Sequence, residues 1–188
     1  MHHKKQVYAY ALVAVAFSLL LIGATTIQAQ DTQPAAKKKV LSIPASAFNE
    51  VGYAEDWNVQ RTGGLLRSIP SGAPSSNIGH FHAPVILPDK FKIHEIRFYS
   101  KNDDTPAITL KLIRNTPNGG SNTETTLAVV ENPSNSGSTF AMKKITLRSP
   151  HTVKNEGASY SLHLYLPDAE GSGVAFHHAE IVYSGKKW

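Results

Sequence analysis

Histidine is the residue type here with the most chemistry to offer. Seven of the nine follow residue 30: His80, His82, His94, His151, His163, His177 and His178. His80 and His82 are two apart in a β-rich run, so both imidazoles project from one face of a strand. With His177 or His178 they would offer three nitrogens to a zinc-like ion. Against this, Phe81 and Ala83 give the run an ordinary in-and-out rhythm, and no carboxylate repeats the pattern. Histidine is also a common half-buried sheet residue. The expectation is no metal and no cofactor.

Other chemistry is thinner. Asn102-Asp103-Asp104 and Asp168-Ala169-Glu170 hold oxygens of the kind calcium takes, but Asn and Asp are equally the residues that make turns. There is no Gly-x-Ser-x-Gly elbow and no cysteine, so no nucleophile is marked and no enzyme is expected. Tyr53 and Trp57 stand in a stretch of Gly, Asn and Asp outside any strand pattern. A planar ring on a loop can stack on a sugar or anchor a partner, or it can plug one end of a core. Of the two long loops, 49–63 holds these rings, and 115–124 offers hydrogen bonds but little apolar area. Binding sites need a rigid apolar anchor, so Tyr53 and Trp57 are the expected binding residues.

The elements that must position these residues are strands. Short β-rich runs fall at 40–48, 64–69, 78–87, 91–100, 108–114, 125–131, 139–148, 159–166 and 174–183, separated by Gly, Asn, Asp, Ser and Pro turns. Pro44 makes the first run an edge strand, and Pro88-Asp89 reads as the turn of a hairpin joining the third and fourth. Ile108, Leu110 and Leu112 oppose Thr109 and Lys111. Tyr160, Leu162, Leu164 and Leu166 oppose Ser159, Ser161, His163 and Tyr165. Ile96 and Phe98 oppose Glu95, Arg97 and Tyr99. One buried and one wet face per strand predicts an all-β, antiparallel two-sheet sandwich of about eight strands. Phe91 and Ile93 are out of phase with Ile96 and Phe98, which predicts a bulge near His94-Glu95.

The N-terminus is different in kind. Lys4 and Lys5 precede an apolar run over 7–24, and small polar residues lead to Ala29. That order is a secretory signal peptide, a signal helix over 1–29 with cleavage after Ala29. Residues 30–39 read as a flexible linker, and 40–188 as the domain. Without Lys4 and Lys5, the excess of 19 Lys and Arg over 14 Asp and Glu shrinks from five to three. No basic stripe with interleaved aromatics exists, which argues against nucleic acid. The absence of cysteine excludes disulfides and a lipid-modified cysteine, and favours a bacterial source. A secreted, periplasmic or cell-surface location follows, with no stable membrane insertion after cleavage.

Pro84-Val85-Ile86-Leu87-Pro88-Asp89, a strand ending in Ser100-Lys101-Asn102-Asp103-Asp104, then Leu110-Lys111-Leu112-Ile113-Arg114, and the closing Ala179-Glu180-Ile181-Val182-Tyr183 resemble a group of exported bacterial single-domain β-sandwich proteins with no assigned function. The resemblance implies a jelly-roll-like sandwich and carries no functional residue with it. The leading expectation is a non-enzymatic exported module for binding, surface or matrix adhesion, its partner a glycan or another exported protein. A carbohydrate-binding domain is the alternative, and a small metal-dependent jelly-roll enzyme the third reading.

Overall fold

The computed structural model describes residues 36–51, 58–69, 78–103, 107–133, 137–167 and 173–185. The proposed signal peptide, most of the linker, and both Tyr53 and Trp57 lie outside the described residues. Among the described residues, no helix is long and apolar enough to cross a membrane.

The domain is an antiparallel two-sheet sandwich. Eleven strands are described, not about eight: β1 (Lys39–Pro44), β2 (Asn49–Glu50), β3 (Asn58–Thr62), β4 (Leu65–Ile69), β5 (Ile78–Pro84), β6 (Lys92–Asn102), β7 (Ile108–Asn118), β8 (Ser121–Asn132), β9 (Gly137–Thr152), β10 (Ser159–Pro167) and β11 (Val174–Ser184). Sheet I runs β3-β4-β11-β6-β9, with β1 also on β11. Sheet II runs β2-β5-β10-β7-β8. The additional strands come from the N-terminal part. Pro44 ends β1, a 3-10 turn over Ala45–Ala47 follows, and the chain changes sheets into the two-residue β2. β3, read from sequence as loop, is too polar to show an apolar period.

Among the described strands only β3–β4 and β7–β8 follow one another within one sheet; every other consecutive pair lies in different layers. The expected hairpin at Pro88-Asp89 is therefore corrected: β5 lies in sheet II and β6 in sheet I. The chain leaves β5 at Pro84, and the Phe91 N–H closes a turn on the Pro88 carbonyl at 3.3 Å. The β7–β8 hairpin turns on Gly119 (φ 53°) and Gly120 (φ 97°), the left-handed backbone that a two-residue turn requires.

The inward residues are those the alternation assigns. Ile108, Leu110, Leu112, Leu162, Leu164, Leu166, Ile96 and Phe98 are fully buried. Phe176 centres the aromatic packing, edge-on to Phe48 at 4.9 Å and tilted to Phe98 at 6.5 Å. At one end the layers are tied by polar groups. Asn102 Nδ2 donates to the Asn132 carbonyl at 3.2 Å, and Asn132 Nδ2 donates to Ser100 Oγ at 3.0 Å.

The expected bulge is present. Val182 pairs Glu95 and Tyr183 pairs Ile93, so His94 is the extra residue, and its Nε2 meets Ser184 Oγ at 2.7 Å. A second bulge skips His177 between Phe176 and His178. A third, larger one is in β9: from Ile93 to Glu95 β6 advances two residues, while β9 passes from His151 to Thr146.

Candidate functional site

The outer face of sheet II gathers rings from two strands and a lysine from a third. Phe81 and Ala83 are buried in the core, so His80 and His82 point outward from β5. On β10 the leucines point inward, leaving Ser161, His163 and Tyr165 outward. The register sets His82 opposite His163 and His80 opposite Tyr165. Directly opposed residues on one face are close enough to interact, and both pairs do. The His82 and His163 rings stack with centroids 3.5 Å apart and planes 17° apart. His80 stands edge-on to Tyr165 at 4.7 Å. Lys111, outward on β7, holds its ammonium 4.5 Å from the Tyr165 ring centre, a cation–π contact.

A polar fringe adjoins the rings. Asn115 Nδ2 donates to Ser161 Oγ at 3.4 Å, and Ser161 Oγ lies 3.0 Å from His163 Nε2. With Asn115 donating in, the serine hydroxyl is free to donate to His163, which fits a neutral imidazole carrying its proton on Nδ1. Burial pushes the His163 pKa down to about 4, with His82 and Lys111 adding to the fall and Glu124 opposing it. Burial lowers His82 too, again against Glu124. Asn115 Oδ1 is buried without a hydrogen-bond partner, an acceptor that a donor arriving at this face would satisfy.

The metal geometry weighed from sequence does not form. His177 and His178 point outward from sheet I, on the opposite face of the sandwich from His80 and His82. Among the described residues no group of three or more His, Asp or Glu is placed to hold an ion. The bulge at His177 instead sets two adjacent imidazoles on one surface, their Nδ1 atoms 2.6 Å apart. His178 stacks on Tyr99 at 4.3 Å, and His177 meets the exposed Phe140 edge-on at 6.0 Å. Beside them Arg97 bridges Glu95 and Glu180. This second ring cluster has no unmet buried side-chain atom among its members.

His163 corrects one detail of the sequence reading. It is on the outer side as expected, but only 5% exposed, because His82 covers it. Tyr165 and Lys111 were not singled out. The available signal was the polar and aromatic set Ser161, His163 and Tyr165 on a strand whose other side is apolar throughout.

No protein-family model matches the sequence, and no curated protein matches it. Solved structures with a similar strand layout include the C-terminal CBM6 of LamC, a marine laminarinase from Zobellia galactanivorans, at 15% identity and TM-score 0.46, covering 76% of this chain and 98% of that one. A β-1,3-glucan binding CBM6 from Bacillus halodurans is 14% identical with TM-score 0.46, covering 77% and 96%. A Bacillus thuringiensis Cry1Da tryptic core variant is 17% identical with TM-score 0.45, covering 77% of this chain and 23% of that one. At these values the likeness transfers no ligand and no site.

Proposed function

We propose that this chain is an exported, non-enzymatic binding module with a jelly-roll-like winding, and that its ligand is a carbohydrate held on the outer face of sheet II. The observation that carries the reading is the row His80, Tyr165 and Lys111 beside the His82–His163 stack. Sugars present apolar C–H faces ringed by hydroxyls. Rings that stack, next to side chains that donate and accept, are the matching surface. Tyr53 and Trp57 belong to the same proposal. Their segment leaves the described chain at Val51, whose N–H donates to the His80 carbonyl at 2.9 Å.

The test is affinity electrophoresis or calorimetry of the protein against a panel of neutral polysaccharides. Binding to at least one, weakened by Tyr165→Ala without loss of melting temperature, supports the reading. Failure of every polysaccharide, or a Tyr165→Ala variant that binds like the parent, overturns it.

A second reading, assembly with another exported protein, is favoured by one observation. Among the described residues β1 pairs only with β11, and Val40 is 51% exposed on it. Such an edge can accept an added strand. Sedimentation of Val40→Lys against the parent would separate monomer from assembly.

A further inference from the structure

The β9 bulge builds a groove that the carbohydrate face does not use. Pro150 cannot donate to a ladder and is tolerated at a bulge. Around it Leu147, Arg148, Ser149, His151 and Thr152, with Leu127 of β8, line a groove of about 360 Å³ between the two sheets. Bulges re-aim side chains, and they concentrate next to sites.

The ionisable side chains that line this groove, Arg148 and His151, are both basic. Arg148 is exposed on its lip. Arg114 lies directly opposite Tyr160 in the β7–β10 register, so it shares the inward face with that ring. The Tyr160 hydroxyl meets His151 Nε2 at 3.1 Å and accepts from the Lys154 N–H at 3.0 Å. His151 therefore sits among Arg114, Lys154 and Arg148. Its pKa is lowered first by burial and then by Arg114 and Lys154. Among the described residues none of Arg114, Arg148 and Lys154 is in an ion pair. The nearby carboxylate of Asp89 is engaged by the Asn155 N–H at 3.0 Å. Arg114 Nε is buried and has no hydrogen-bond partner. A buried N–H left unmet on a cation is costly, and a negative charge nearby offsets part of that cost.

We propose that the groove at the β9 bulge binds the acidic group, carboxylate or sulfate, of a polysaccharide ligand, through Arg148 with His151 beside it, the charge of Arg114 adding to the field there. The polysaccharide part rests on the carbohydrate reading above; the anion site stands on the groove itself. Guanidinium is suited to both anions because its planar fork matches their oxygens.

The experiment compares polygalacturonate, its methyl ester and dextran sulfate by calorimetry at low and at physiological salt. The inference expects acid to bind about tenfold or more tightly than ester at low salt, a margin that added salt shrinks. Carboxylate and sulfate are told apart by which polymer shows the larger margin. Arg148→Gln, an exposed change, removes the margin while leaving ester binding as it was; Arg114→Gln narrows it, provided its melting temperature matches the parent. Equal binding of acid and ester, or a margin that survives Arg148→Gln, overturns the groove and leaves the carbohydrate reading standing. If no polymer binds, the arginine Nε–H resonances of the protein are followed during titration with galacturonate and with inorganic sulfate. A saturating shift of Arg114 that Arg148→Gln abolishes supports the groove without the carbohydrate reading. No shift with either anion overturns it.

Discussion

His82 and His163 stack face to face across the β5–β10 pair, 3.5 Å between ring centres, and one of the two is almost wholly buried. Two stacked imidazoles tolerate at most little positive charge, and His163 is held neutral down to about pH 4. In the unfolded chain the same ring takes a proton near pH 6.5. Between those values the unfolded state binds the extra proton, so stability rises with pH across this window. It is fully present above about pH 6.5, is lost as pH falls toward 4, and levels off below. The loss is of order 2–3 kcal/mol. Denaturant melts at pH 7.5 and 4.5 should show it, and His163→Gln should flatten the difference. Glu95, whose pKa is lowered by Arg97 and Thr146 against its burial, acts in the same direction at lower pH. An equal pH dependence in parent and His163→Gln would assign the acid sensitivity elsewhere.

Trp57→Ala is expected to weaken ligand binding while the melting temperature stays within a few degrees of the parent. A ring buried in the core would instead cost about 3–5 kcal/mol. Circular dichroism melts distinguish the two before any ligand is known. A large drop in stability would remove Trp57 from the binding site and place it in the core.

Gly119 and Gly120 make a matched pair. Neither would bring a Cβ within 4 Å of another group, so any cost of substitution comes from the backbone alone. At φ 97°, Gly120→Ala should destabilise by about 1–2 kcal/mol. At φ 53°, Gly119→Asn should cost only a few tenths of that, because asparagine tolerates the left-handed region. Equal losses at the two positions would contradict the turn geometry.

Expression in a bacterial host with intact export should yield a mature protein starting at Gln30, read by intact mass. The basic, apolar and small-residue order of the first thirty residues motivates this. Protein retained in the membrane and still starting at Met1 would mean an anchor instead.

The parts of the fold that sequence made legible are those with a long uninterrupted period. The leucines of β10 and the Ile108, Leu110, Leu112 set named their faces correctly, and the phase slip at His94 located a bulge. The break between β5 and β6 was not legible. Val85-Ile86-Leu87 continues the apolar pattern past the end of β5, and only the structure shows Ile86 83% exposed between two buried neighbours. The candidate site was harder for a different reason. His82 and His163 become a pair through cross-strand register, a relation between residues far apart in the chain that no local pattern encodes. The β9 bulge was hidden in the same way, since 139–148 reads as one even strand until its partner is known.

The pairing of β1 with β11 also sets a clock. Lys39 meets Tyr183 and Pro44 meets His178, so the first of the described strands waits for the last. Contacts this distant along the chain slow folding, since the loop between them must close before the contact repays it. Until β11 has been made, β1 has no strand to pair with among the described residues. The sandwich is completed only after synthesis of residue 183. A polypeptide that stays open for that long is one that can still be threaded.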